Sequence, residues 1–60
     1  MKLNVNDKVR IDKIGDKFNN EIGTIVHIYE FNYAPITAYK VKFENGKTKE
    51  YFYIELIKVR

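Results

Sequence analysis

Lysines alternate with apolar and aromatic residues in the last third of this 60-residue chain. Segment 39–43 reads YKVKF and segment 48–53 reads TKEYFY. An ammonium group neutralises a phosphate and releases its counterion, and a flat phenol ring offers a base a stacking surface. The residues with this chemistry are Lys40, Lys42, Lys49, Tyr51 and Tyr53. If they share a face, they predict a nucleic-acid-binding surface; solubility and cross-strand packing are the competing interpretation of the same residues.

A turn signal between these two segments determines which side chains share a face. Asn45-Gly46 between two strand-like runs is a strong hairpin signal. A two-residue turn would direct Phe52 into the core, whereas a three-residue loop with Gly46 as a bulge would shift the register by one and turn Tyr51 and Tyr53 inward. We favour the two-residue turn, because phenylalanine is the better core residue and tyrosine the better surface residue. This register predicts that the five lysines and tyrosines named above share the outer face.

A second candidate site is the ten-residue connection 29–38, which reads YEFNYAPITA. Long connections in compact domains are often functional, and the proline makes this one a defined turn. We interpret Phe31 and Ile36 as a lid on the core, and the tyrosines as half-exposed anchors for a partner. The residues assigned to partner binding are Tyr29, Tyr33 and Pro35.

The net charge of +3 arises entirely in the last part of the chain. Up to residue 38 five basic residues balance five acidic ones, and from residue 39 onward six basic residues face three acidic ones. Such an asymmetry indicates a polyanionic partner. Lysines on strands also protect sheet edges from aggregation, so the charge alone does not distinguish the two roles.

Several classes of function find no support in the residues. There is no cysteine for a disulfide or a thiolate metal site, and His27 is the single histidine. No catalytic or nucleotide-binding motif is present. We therefore expect a protein without enzymatic activity, metal, cofactor or small-molecule substrate. The amino-terminal residues lack the apolar core of a signal peptide, and no apolar run approaches the roughly 20 residues of a membrane span, which predicts a cytoplasmic protein away from membranes.

The elements that would position the candidate residues are short strands. Val9 and Ile11 alternate with polar residues, 22–29 is a more continuous apolar strand, and 39–53 is a hairpin. Segment 54–59, IELIKV, predicts a short helical turn followed by a final strand. A chain of this length makes a single domain, residues 1–60. We predict an all-β fold, a small antiparallel barrel of about five strands, with a sheet carrying one small helix as the alternative.

The first half of the chain carries a spaced glycine pattern. Residues 7–11 read DKVRI, Gly15 follows, and residues 23–28 read GTIVHI. This arrangement resembles the KOW-type SH3-like barrel, in which a polar pair precedes V-x-I and a later glycine opens a strand of the form G-x-V-x-x-I. The second half is also similar to such barrels, through FENG, a return strand and IELIKV. The nearest type is the YorP-like proteins of bacteria and phages.

The resemblance implies an SH3-like barrel with a 3-10 turn before the last strand. It implies two classes of function, because KOW-like barrels bind nucleic acid and also serve as protein-interaction modules. Glu21 stands where KOW domains of ribosomal proteins often present basic residues, so their loop contacts do not carry over to this chain. We rank binding of DNA or RNA first on the charge asymmetry. The alternative is a phage or mobile-element accessory factor that docks on a host protein through the 29–38 loop.

Overall fold

The computed structural model describes residues 2–31 and 34–60, which form one sheet of five antiparallel strands. The strands are β1 (Lys8–Ile11), β2 (Ile22–Glu30), β3 (Thr37–Phe43), β4 (Thr48–Phe52) and β5 (Leu56–Lys58), in the spatial order β4-β3-β2-β1-β5. A 3-10 turn, Tyr53–Glu55, precedes β5. The predicted all-β fold of about five strands with this turn is confirmed. Among the strand pairs of the described residues none joins β4 to β5, so closure into a barrel stays a prediction.

One face of the sheet packs over the core and is called the inner face; the opposite one is the outer face. Strand side chains alternate between the two, so that Val9 and Ile11 are buried while Lys8 and Arg10 are more accessible. The buried cluster comprises Leu3, Val9, Ile11, Phe18, Ile25, Tyr39, Val41, Phe43, Tyr51 and Leu56. The alternation of apolar and polar residues along each strand therefore determines which side chains lie on the outer face.

The segment 12–21, between β1 and β2, covers the inner face. Its Phe18 is buried and stacks on Phe43 with ring centroids 4.1 Å apart and ring planes 8° from parallel. The Phe18 amide donates a hydrogen bond to Asp16 Oδ2 at 3.0 Å, and the Lys13 amide donates to Asn19 Oδ1 at 2.9 Å. These bonds hold the segment in a compact turn that presents Phe18 to the core.

The predicted core lid was wrong. Phe31 and Ile36 are 41% and 47% exposed and lie outside the buried cluster. Their place over the core is taken by Phe18. The physical reason is the length of β2, which continues to Glu30 and carries the chain beyond the core before it turns back.

Gly23 lies at a close approach between β2 and β3. A Cβ at this position would stand 2.8 Å from the Lys42 carbonyl oxygen, 3.2 Å from a ring carbon of Phe43 and closer still to a methyl group of Val41. Only a residue without a side chain fits, because real Cβ atoms do not approach backbone oxygens at such distances. The absence of a side chain at Gly23 therefore permits this approach of the two strands.

A β-bulge interrupts β2 further along, at Val26. Ile25 pairs with Val41, but His27 pairs with Lys40, so one residue of β2 is left over between the two pairs. Both Val26 and His27 are exposed. The extra residue restores inward orientation at Ile28, which packs against the core, and outward orientation at the tyrosine that follows.

The hairpin between β3 and β4 has the three-residue loop, and the register that we favoured was wrong. The Gly46 amide donates to the Phe43 carbonyl at 2.9 Å, the Phe43 amide donates to the Lys47 carbonyl at 2.8 Å, and Gly46 has a φ of 86°. This is a turn closed by a glycine bulge. Tyr51 therefore pairs with Tyr39 on the inner face and is 1% exposed, while Phe52 is 52% exposed.

Candidate nucleic-acid interface

Basic and hydroxyl side chains line up across four strands of the outer face. Lys8 pairs with Thr24, Thr24 with Lys42, and Lys42 with Thr48. The first three of these residues also line one shallow cleft above Gly23, together with Glu44 at its border. Lys8 and Lys42, from separate strands, thus lie on either side of Thr24 on one surface.

Lys40 is the next outward-facing residue of β3 after Lys42. It pairs with His27 on β2 and with Glu50 on β4. Its ammonium lies 5.9 Å from the centre of the Tyr29 ring, within the range of a cation–π contact. The His27 ring meets Tyr29 edge-on, with centroids 4.5 Å apart and an interplanar angle of 66°. These contacts orient the Tyr29 ring beside the lysine.

An apolar row lies beyond Lys40. Ala38 pairs with Tyr29 on one side and with Phe52 on the other, and all three point to the outer face. Ala38 is only 9% exposed although it faces outward, which means that neighbouring side chains cover it. We call Tyr29, Ala38 and Phe52 the aromatic platform. Phe52 is half exposed, so the platform presents ring surface to solvent next to the lysines.

The outer-face lysines form no ion pair among the described residues, although Glu50 lies opposite Lys40 and Glu44 borders the cleft. The ion pairs within residues 2–31 and 34–60 join Lys13 to Glu55 at 3.0 Å, Lys49 to Asp16, and Lys58 to Asp7 at 3.7 Å. None of these pairs involves the basic cluster, which we define as Lys8, Lys40 and Lys42. Three ammonium groups outnumber the two nearby carboxylates and can pair with an external anion.

Lys49 and Tyr51, predicted on the outer face, lie on the inner side of β4. The Tyr51 hydroxyl donates to Asp16 Oδ2 at 2.7 Å, and the Lys49 ammonium contacts Asp16 Oδ1. With the bond from the Phe18 amide, the Asp16 carboxylate is fully paired although its side chain is only 1% exposed. The outward placement failed because a distant carboxylate satisfies the buried Tyr51 hydroxyl and pairs with the half-exposed Lys49 ammonium, which local sequence does not reveal.

The ionisation of this cluster follows from its hydrogen bonds. The Lys49 ammonium, with the bonds from Tyr51 and the Phe18 amide, lowers the pKa of Asp16 to about 2 in spite of burial, which acts in the opposite direction. Burial, together with the bond to Asp16, raises the pKa of Tyr51 well above its usual value. Burial opposes ionisation of Glu55, but the Phe52 amide and Lys13 outweigh it and lower the Glu55 pKa. At neutral pH the carboxyl groups of this cluster are therefore ionised, and their hydrogen bonds and ion pairs stabilise the fold.

The remaining predicted residues belong to a different surface. Tyr53 lies in the 3-10 turn, 42% exposed, and Pro35 precedes β3. Both line a shallow apolar groove, whose other lining residues are Ile36, Thr37, Phe52 and Ile54. Ile54 is 86% exposed. Tyr33, also predicted to bind a partner, lies outside the described residues. The groove adjoins the aromatic platform through Phe52, which belongs to both.

No sequence pattern assigned Lys8, Thr24, His27 or Phe52 to a site. Lys8 and Thr24 alternate with buried residues, and this period of two was sufficient to place them opposite the core. His27 lies in β2 and is exposed. The period of two places it on the same side of the strand as Tyr29, but the bulge at Val26 determines that this is the outer side.

Comparison with known proteins found no family model that matches this chain and no match among curated proteins. In the part of the chain that the structure describes, no three histidine or acidic side chains come together in a way that could hold a metal ion. Helices of sufficient length and apolarity to cross a membrane are absent from residues 2–31 and 34–60. The function is therefore argued from the surface alone.

Proposed function

We propose that this protein is a non-enzymatic nucleic-acid-binding module whose binding surface is the outer face of the sheet. The observation that carries the proposal is the position of Lys8, Lys40 and Lys42 on that face, outside the ion pairs of the described residues. The proposed site keeps Lys40 and Lys42 from the sequence prediction and replaces Lys49 and Tyr51 by Lys8 and Tyr29.

Polyelectrolyte physics favours a nucleic acid as the ligand of such a surface. Each lysine that neutralises a phosphate of a single strand contributes about −0.7 to the slope of log affinity against log salt. Three contacts give a slope of about −2, so that affinity falls by roughly twentyfold between about 50 and about 200 mM salt. A net charge of +3 supports moderate and strongly salt-dependent binding.

The fold is compatible with the KOW-type SH3-like class, which we propose for this chain. The last strand returns after a 3-10 turn to pair with β1, in the arrangement that the resemblance implies. We also propose a cytoplasmic location and retain a bacterial or phage origin as part of the same hypothesis.

An amide NMR titration tests the proposed function. Labelled protein is titrated at low salt with single-stranded and with duplex oligonucleotides, and again at higher salt. We expect shifts centred on residues 8, 24, 40 and 42 that salt reverses. Lys42→Gln should weaken binding and reduce the salt slope by about 0.7. Lys17→Gln is the matched control. It removes the same charge beside Phe18, on the segment that covers the inner face and not the outer one. Absence of shifts at low salt, or binding that salt does not weaken, would overturn the proposal.

A second candidate function is protein interaction at the apolar groove, the surface nearest to the 29–38 loop of the sequence prediction. It is supported by four exposed apolar side chains, Ile36, Phe52, Tyr53 and Ile54, at one site. Exposed apolar patches bordered by polar residues are typical of interaction surfaces. Affinity capture from host extract should then depend on Ile54, and Ile54→Ser should abolish it while Ile14→Ser, at the 95% exposed Ile14, should not. Equal capture by both variants would contradict this function.

A further inference from the structure

We propose that the ligand of the outer face is a single strand, with its bases stacked on the aromatic platform and its phosphates on the basic cluster. This inference rests on the proposed function and specifies the form of nucleic acid that the site takes. It is carried by the position of the platform, which directly continues the row of lysines along β3.

The spacing along β3 brings the two kinds of group into one track. Ala38, Lys40 and Lys42 occupy successive outward positions, about 7 Å apart. Tyr29 and Phe52 flank Ala38 from the neighbouring strands, and Lys8 flanks the far end of the track through Thr24. A ligand lying along β3 therefore meets apolar ring surface at one end and ammonium groups at the other.

The arrangement of the Tyr29 and Phe52 rings suits stacking with a base that is not already stacked on its neighbours. Phe52 is 52% exposed and lies beside a small residue, so no large side chain on β3 separates it from Tyr29. The Tyr29 ring packs against the inclined His27 ring and lies 5.9 Å from the Lys40 ammonium, and both contacts restrict its orientation. A ring that is already held in one orientation loses little conformational freedom on binding. It therefore stacks on a base at a lower entropic cost than a mobile ring does.

A duplex offers less to this surface than a single strand does. In a duplex the base faces are stacked on one another, and proteins read the base edges with an element that enters a groove. The outer face between β1 and β4 is a sheet surface with short side chains such as Thr24 and Thr48, and its rings can reach only unstacked bases.

The charges next to the platform favour a nucleic acid over a protein partner. Lysine is depleted in the cores of protein interfaces, because burying an ammonium group removes its hydration. Here Lys40 lies between the platform and Lys42, in the middle of the track. A protein docked on the platform would have to cover it, whereas a phosphate would pair with it.

The test compares three labelled probes of about ten nucleotides, a length within the usual site size, by fluorescence anisotropy at low salt. The probes are an oligothymidylate, an abasic strand of equal length, and a duplex of equal length. We expect the oligothymidylate to bind about tenfold more tightly than the other two, the effect of roughly one stacked base. Phe52→Leu should remove most of this advantage without changing binding of the abasic strand. Lys42→Gln should weaken all three.

Phe52→Leu keeps an apolar side chain at a half-exposed position, and Tyr29→Leu provides a second variant with the same expectation. An amide NMR spectrum of each verifies the fold. Equal binding of the three probes, or no effect of either leucine variant, would overturn the single-strand inference and leave the proposed function standing. No binding of any probe would overturn both. If, in addition, Phe52→Leu converted a self-associating protein into a monomer, the platform would be an interface between copies of this chain.

Discussion

The Tyr51 hydroxyl donates a 2.7 Å hydrogen bond to the Asp16 carboxylate, 35 positions earlier in the chain. This bond joins β4, at the edge of the sheet, to the segment that carries Phe18 over the core. Lys49 holds the other carboxylate oxygen, and the Phe18 amide completes the set. The interaction combines a long loop closure with full satisfaction of a buried charge, so both partners matter for stability.

Tyr51→Phe removes the hydroxyl and leaves the ring in place. We expect the free energy of unfolding to fall by about 1–2 kcal/mol, because the Asp16 carboxylate loses a bond in a site that water does not reach. Urea denaturation measures the change. Tyr53→Phe makes the same chemical change at a 42% exposed position and should alter stability by less than about 0.5 kcal/mol. Equal effects of the two substitutions would show that the bond to Asp16 contributes nothing specific.

Acid should destabilise this protein through Asp16. Its pKa is about 2 in the folded state against a usual 3.8, so the folded state favours the ionised form. The corresponding stability is present above about pH 4 and is lost as the pH falls from about 4 towards about 2. Urea denaturation at a series of pH values measures the loss.

Asp16→Asn separates this contribution from that of the other carboxyl groups. The variant should be less stable than the parent at neutral pH, and the difference should shrink as the pH falls through the same window. Glu55, whose pKa is also lowered, should keep some acid dependence in the variant. A difference that stays constant down to about pH 2 would refute the role of Asp16 ionisation.

Gly23→Ala tests the close approach of β2 and β3. The added methyl group would meet Val41 and the Lys42 carbonyl, and backbone does not yield as a flexible side chain does. We expect a loss of about 2–3 kcal/mol or failure to fold, measured by thermal unfolding. Val26→Ala in the same strand, at a 38% exposed position, should cost less than about 1 kcal/mol. A stable Gly23→Ala protein would mean that the two strands can separate without cost.

Gly46→Ala tests the hairpin loop. Space for a methyl group is available, since no atom beyond the adjacent residues would lie within 4 Å of it, but φ is 86°. We expect a loss of about 1 kcal/mol from backbone strain alone, and a smaller loss for Gly46→Asn, which tolerates left-handed backbone better. If alanine and asparagine were equally tolerated, the loop would have an alternative conformation without positive φ. Denaturation of both variants distinguishes the two results.

The strands were predictable because their signals are local. The alternation of Val9 and Ile11, the Asn45-Gly46 turn and the IELIKV ending each identify an element from a few neighbouring residues, and each element is present. The same period of two placed Lys40 and Lys42 on the outer face. Local patterns were sufficient wherever the placement of a residue depended on its own strand alone.

The errors concern residues whose position depends on a distant partner. Phenylalanine is the better core residue in general, yet Tyr51 is buried because Asp16 satisfies its hydroxyl, and Phe52 is exposed as a consequence of the register. Phe18 covers the core instead of Phe31 because its ring stacks on Phe43, which lies far along the chain on β3. Such long-range pairs are not encoded in a short window of sequence.

The single extra residue at Val26 has a consequence for how this chain tolerates length changes. Removing Val26 would restore strict alternation and leave the sides of the strand as they are, because His27 already pairs with Lys40, the neighbour of Val41. Ile28 would still face the core and Tyr29 would still face outward. Among one-residue deletions in β2, loss of residue 26 should therefore be well tolerated. Descendants of this chain could shorten the strand at this point and keep the outer aromatic ring beside Lys40.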